Sequence, residues 1–207
     1  MHGTIAKLHV VTPPGVHGRD LVTTQALLRA GAPLVQVRTK GVDDRARLEV
    51  AAVIVGAARA SGAACLVNDR IDIALAAGAD GVHVGADDLP AAAARRLLGA
   101  AAVVGATCRN AEDGRRAEGE GASYLGVGPV YATSTKNGLP DPIGPRGVEA
   151  IAAAVSIPVI GISGVTADNA GAVLDAGAWG VAVVAAVYGS DDPVAVLHQL
   201  MEITGCA

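Results

Sequence analysis

Several short polar stretches interrupt the apolar runs of this chain, and their residue types suit a phosphate-bearing ligand. The first is Gln36-Val37-Arg38-Thr39-Lys40. On an extended backbone alternate residues share a face, so Gln36, Arg38 and Lys40 are expected to converge as two cations beside an amide. The second comprises Asn68-Asp69-Arg70 and Gly85-Ala86-Asp87-Asp88. Carboxylates on neighbouring loops, such as Asp69 and Asp88, suit Mg2+, which takes one or two protein carboxylates together with substrate phosphates. The same residues suit helix capping, Asp69 ahead of Ile71 and Asp88 ahead of Pro90. The third is Gly126-Val127-Gly128-Pro129 followed by Thr133-Ser134-Thr135-Lys136, where hydroxyls beside a lysine can hold a phosphate. His83, inside an apolar run, reads as a packed, hydrogen-bonded residue rather than a general base. H-E-x-x-H, P-loop and zinc patterns are absent, and Gly126-Val127-Gly128 lacks the third glycine of a dinucleotide fingerprint.

The elements that must position these residues follow a repeated phrase. Gly-Ala followed by a β-rich apolar run occurs at Gly31-Ala32, Gly62-Ala63, Gly78-Ala79, Gly99-Ala100, Gly121-Ala122 and Gly177-Ala178. A glycine just past a helix supplies the left-handed residue that ends it. The runs that follow, such as Pro33 to Val37 and Gly81 to Val84, read as strands buried on both faces. Two further strands, Ile5 to Val11 and Ile157 to Ile162, complete a set of eight. Helices are expected between them, with starts at Asp43-Asp44 and at Thr166 with Asp168. Eight strands alternating with eight helices predict an α/β fold, a single-domain (β/α)8 TIM barrel over residues 1–207. Active sites of such barrels lie at the C-terminal strand ends, where the polar stretches fall. The turns Gly161-Ile162-Ser163-Gly164 and Val183-Val184-Ala185 then match a phosphate cradle after strands seven and eight. One long loop, Pro129 to Pro145, carries four prolines, and loops of such length are usually functional.

Composition narrows the partners. The chain has 207 residues, 16 Lys+Arg against 20 Asp+Glu, and a formal charge of −4, so no strongly basic nucleic-acid face is expected. Hydrophobic residues make up 51% but aromatics only 2%, with no Phe, so Ala, Val, Leu and Ile must build the core. No apolar run approaches the length of a bilayer span. Met1 to Val11 lacks the pattern of a secretory signal, which predicts a cytoplasmic protein. Cys65, Cys108 and Cys206 form no C-x-x-C pair and read as idle thiols.

Taken in order, Gln36-x-Arg38-x-Lys40, Asn68-Asp69-Arg70, Asp80-Gly81-Val82-His83-Val84-Gly85, Gly126-x-Gly128-Pro129-x-Tyr131-x-Thr133-x-Thr135-Lys136 and Gly161-Ile162-Ser163-Gly164-Val165 resemble the thiamine phosphate synthases over nearly the whole chain. The resemblance implies an Mg2+-dependent transferase of thiamine biosynthesis. It would couple 4-amino-5-hydroxymethyl-2-methylpyrimidine pyrophosphate with thiazole phosphate, by pyrophosphate departure and capture of the pyrimidine cation. It further implies that Gln36, Arg38, Lys40, Asn68 and Lys136 touch the pyrimidine pyrophosphate, and that Asp69 and Asp88 hold Mg2+. Thr107 falls beside the pyrimidine, Thr133 and Thr135 on the thiazole side, and Gly164, Val184 and Ala185 around the thiazole phosphate. Catalysis is assigned on this basis to Arg38, Lys40 and Lys136. The implied partners are these small molecules, without nucleic acid or membrane and with room for a homo-oligomer. The chain departs from the family pattern at Ala86, Arg109, Ser163 and Ala185, in place of Gln, His, Gly and Ser. A sister group, the thiazole tautomerases, and a non-catalytic binder of thiazole phosphate or thiamine phosphate are the rival readings. Pro129 stands where the tautomerases would carry their proton-transferring His.

Overall fold

The computed structural model describes residues 5–16, 18–135 and 138–206. Its strands are β1 (Leu8–Val11), β2 (Leu34–Val37), β3 (Ala64–Asn68), β4 (Gly81–Val84), β5 (Val103–Cys108), β6 (Tyr124–Val127), β7 (Val159–Ile162) and β8 (Gly180–Val183). Each pairs in parallel with the next, and β1 pairs with β8 through Leu8 opposite Val181, which closes the barrel. The helices among the described residues are α1 (Arg19–Arg29), α2 (Asp44–Ser61), α3 (Ile71–Ala77), α4 (Ala91–Leu98), α5 (Ala111–Gly119), α6 (Gly144–Ala152), α7 (Ala167–Asp175), α8 (Ala185–Tyr188) and α9 (Pro193–Thr204). This is the expected (β/α)8 architecture, with one correction. The last strand is followed by two helices, because Gly189 ends the single turn of α8 before Asp192 caps α9 by accepting from the Ala195 N–H at 3.0 Å.

The joints follow from local chemistry. All six glycines of the Gly-Ala phrase take positive φ, from 66° at Gly78 to 94° at Gly31, a region open to glycine at little cost. Asp43 caps α2, its carboxylate accepting from the Ala46 N–H at 2.9 Å. At α7 the partner of Thr166 is Asn169, whose side-chain oxygen accepts from the Thr166 N–H at 2.8 Å. Two strands are shorter than expected: β1 begins at Leu8 rather than Ile5, and β7 at Val159 rather than Ile157.

Alternation along the strands separates two apolar layers. Val11, Leu34, Leu66, Tyr124, Ile160 and Ala182 form the inner cluster, while Val10, Val35, Val67, Val104 and Leu125 belong to the larger layer shared with the helices. Burying this outer layer is the main force holding helices to barrel. At the strand starts the lone Trp179 donates its ring N–H to the Ile5 carbonyl at 2.8 Å, beneath the Lys7 ammonium at 5.1 Å from the ring centre. Toward the strand ends the inward positions turn polar, with Gln36, Asn68, His83 and Thr107, and these form the floor of the site. No described helix is long and apolar enough to cross a membrane.

Candidate active site

A cavity of about 380 Å³ opens at the C-terminal strand ends. It brings together Gln36, Arg38, Lys40, Asn68, Asp69, Asp88, Thr107, Thr133, Thr135, Gly164, Val184 and Ala185, every residue given a catalytic, binding or metal role above except Lys136, which lies outside the described residues.

The cations are held by the loop after β1. The Thr12 hydroxyl accepts from the Arg38 N–H at 2.8 Å and donates to the Arg38 carbonyl at 3.2 Å, while the Lys40 N–H donates to the Pro14 carbonyl at 2.6 Å. Burial lowers the pKa of Arg38, an effect partly offset by the nearby Asp69. A half-desolvated guanidinium is therefore ready to receive an anion.

Opposite stand the two carboxylates, and neither is a helix cap, which corrects that alternative. Asp69 takes φ 66° and its carboxylate pairs with the Lys40 ammonium, leaving α3 without a side-chain cap. Asp88 accepts from the Gly85 N–H at 2.7 Å, within its own turn, and α4 likewise has no side-chain cap. The two carboxyls are close enough to shift each other's protonation. Burial opposes the charge on Asp69, but the neighbouring Asp88 and Lys40 outweigh it and hold this carboxyl below its usual range. Burial and the neighbouring Asp69 push Asp88 up. Like charges this close are expected to share one proton. Among the described residues no cluster of three or more His, Cys, Asp or Glu is assembled, so any metal here would rest on this pair and its ligand.

The remaining walls come from β4 to β8. His83 is buried and hydrogen-bonded as expected, its Nδ1 at 2.9 Å from the Tyr124 hydroxyl and its Nε2 at 2.9 Å from that of Thr107. Thr133 and Thr135 are linked hydroxyl to hydroxyl at 3.2 Å. The loop after β6 lies along that after β7, since the Val130 and Tyr131 N–H groups donate to the Ile162 and Ser163 carbonyls at 2.9 and 3.0 Å. Gly164 has no room for a side chain there, because a Cβ would stand 2.5 Å from the Ala132 carbonyl oxygen. Asn169 ties the same turn down by donating to the Gly164 carbonyl at 3.0 Å. Val11 and Ala182, which belong to none of the polar stretches or turns quoted above, also line the cavity, as do Asp87, Leu139, Ile162, Val165 and Thr166, which lie within the quoted stretches, loop or helix start but were assigned no individual role. Arg109 lines it too, with a buried Nε that has no hydrogen-bond partner among the described residues.

A family model described as thiamine monophosphate synthase matches residues 8–187. The chain belongs to the thiamine monophosphate synthase family. It is 47% identical over 206 residues to a thiamine-phosphate synthase of Salinispora arenicola, covering 98% of this chain and 99% of that protein. It is 44% identical over 194 residues to one from Moorella thermoacetica, covering 94% and 92% of the two. Among solved structures, thiamine phosphate pyrophosphorylase from Pyrococcus furiosus superposes with a TM-score of 0.87 at 34% identity, over 96% of this chain and 95% of that one. A 3-hexulose-6-phosphate synthase at 22% identity and TM-score 0.69 shares the fold alone. In this member of the thiamine monophosphate synthase family, each of the motifs quoted from the sequence contributes described residues to the wall of one cavity.

Proposed function

We propose that this protein is a thiamine phosphate synthase, joining 4-amino-5-hydroxymethyl-2-methylpyrimidine pyrophosphate to thiazole phosphate. The observation that carries the reading is the meeting, in one cavity, of the cations Arg38 and Lys40 with the carboxylate pair Asp69 and Asp88. The bond between the pyrimidine methylene and pyrophosphate oxygen breaks, its electrons leaving with pyrophosphate. The lone pair of the thiazole nitrogen then forms the new C–N bond to that methylene. No protein nucleophile is needed.

The residues divide the work by chemistry. Arg38, Lys40 and Lys136 neutralise the departing pyrophosphate, as fixed cations do for charge that develops in a transition state. Gln36, Asn68 and Thr107 bind and orient the pyrimidine half. Thr133 and Thr135 border the thiazole half, and the backbone of Gly164, Val184 and Ala185 receives its phosphate. The donor set fits Mg2+: Asp69 and Asp88 place two hard carboxylates on the cavity wall, and Asp69 already draws in the Lys40 ammonium. When bound, the metal would supply Lewis-acid neutralisation of the pyrophosphate oxygens.

The test is incubation with both substrates and Mg2+, with an EDTA control. Metal-dependent release of thiamine phosphate and pyrophosphate in equal amounts is expected. Thiazole phosphate binding without any coupling would refute the reading.

A further inference from the structure

We propose that Tyr124 and His83 form a buried relay that makes Gln36 present a hydrogen-bond acceptor, and Thr107 a donor, to the ligand. This arrangement would make the pocket specific for an aminopyrimidine over its oxo counterpart. The inference rests on the pyrimidine-coupling function proposed above and adds what selects the pyrimidine.

The relay follows one row of the barrel. His83 on β4 pairs in register with Gly105 on β5, which pairs with Tyr124 on β6. A side chain at position 105 would block the row, since a Cβ would stand 2.2 Å from the Tyr124 ring. One step further, a Cβ at Gly126 would stand 2.6 Å from Cε1 of His83. The two rings thus occupy space left by two glycines, and they meet across it at 2.9 Å between the Tyr124 hydroxyl and His83 Nδ1. His9 packs edge-on against Tyr124 with ring centres 4.9 Å apart. Tyr124 is 1% exposed and does not line the cavity, so it acts through its neighbours as a positioning residue.

The direction of the hydrogen bonds is set by elementary chemistry. Burial raises the pKa of Tyr124, so the phenol keeps its proton, and the buried Gln36 amide works against that rise as a donor toward the same oxygen. A phenol is a better donor than a neutral imidazole N–H, and an imidazole nitrogen is a better acceptor than a phenol oxygen. The single phenolic proton therefore goes to His83 Nδ1. Gln36 must then donate one amide N–H to the phenol oxygen, which turns its carbonyl and its second N–H to the ligand. At the other end His83 carries its proton on Nε2 and donates to Thr107 Oγ1 at 2.9 Å, which leaves the threonine O–H to donate. An aminopyrimidine offers an N–H donor and a ring-nitrogen acceptor, the complement of this pair. The oxo counterpart offers a carbonyl and a ring N–H in their place and would leave buried groups unpaired.

Two measurements test the relay. In 15N-histidine-labelled protein, His83 is expected as the Nε2–H tautomer with Nδ1 accepting; an Nδ1–H tautomer overturns the proposal. In Tyr124→Phe, the ratio of kcat/KM for the amino substrate to that for its 4-oxo analogue should fall about 10- to 100-fold. A merely structural tyrosine would lower both values alike and leave the ratio unchanged, and that result also overturns the proposal. The tautomer is read without substrate and without substitution. Absence of coupling in the unsubstituted protein would refute the synthase reading, while the tautomer would still decide the relay.

Discussion

Replacing Gly126 by alanine tests the packing of the site floor most directly. The new Cβ would lie 2.6 Å from His83 Cε1 and 3.2 Å from Nε2. Ordinary carbon contacts are about 3.5–4.0 Å, so the ring must retreat by about 1 Å. Both ring nitrogens are engaged at 2.9 Å, with Tyr124 and Thr107, and a retreat of that size stretches these bonds beyond useful length. Overpacking costs about 1–3 kcal/mol, and each weakened hydrogen bond about 1 kcal/mol more, for a total of about 3–5 kcal/mol. In a chain of this size that corresponds to a drop of about 6–20 °C in Tm. The assay is thermal and urea unfolding followed by circular dichroism. Gly171→Ala serves as the control, because Gly171 lies inside α7 with nothing within 4 Å of the added Cβ. That change should be neutral or stabilising by up to about 1 kcal/mol. A Gly126→Ala protein as stable as Gly171→Ala, with coupling intact, would refute the argument that the backbone locks the His83 ring.

Two further outcomes follow from charge and burial. His9 is buried and its pKa is lowered to about 3, chiefly by desolvation, from an ordinary value of 6.5. Above pH 6.5 it is neutral in both folded and unfolded chains and contributes nothing to pH dependence. As pH falls from 6.5 toward 3 the unfolded chain takes up the proton first, so stability declines, by about 4–5 kcal/mol at the lower end. Urea unfolding across this range should show a shallower acid decline for His9→Leu than for the parent, and parallel curves would refute the assignment. Arg38→Ala should fold normally yet lose about 10²–10³-fold in kcat/KM for the pyrimidine pyrophosphate, judged by analogy with the loss of other preorganised charge-stabilising groups. Steady-state kinetics with full activity in this variant would remove Arg38 from the pyrophosphate site.

The barrel was legible because its joints repeat one chemical solution: at each Gly-Ala phrase a glycine turns the chain and small residues lead into the next strand. Strand starts were less legible. Ile5 and Ala6 are as apolar as the strand that follows, and only pairing with a neighbour distinguishes Leu8 as its first residue. The single turn of α8 is too short to carry a helical period. Within the site, Arg38 and Lys40 could be placed by alternation along β2 and its extension. For Asp69 and Asp88, capping and cation binding ask for the same side chain, and only the turn geometry and the Lys40 contact separate them. The role of Tyr124 was hidden for another reason. It depends on which residues of three different strands share a row, and that register is written in no local pattern.

The position of Trp179 makes the protein its own optical probe of barrel closure. This lone indole precedes β8 and grips the Ile5 carbonyl just ahead of β1, at the junction of the first and last strands and at the end of the barrel away from the cavity. Its fluorescence should therefore change when that junction opens, and stay nearly constant when ligands fill the opposite end. Separation of the two terminal strands can then be followed in solution without an added label, while substrate occupancy needs a different signal.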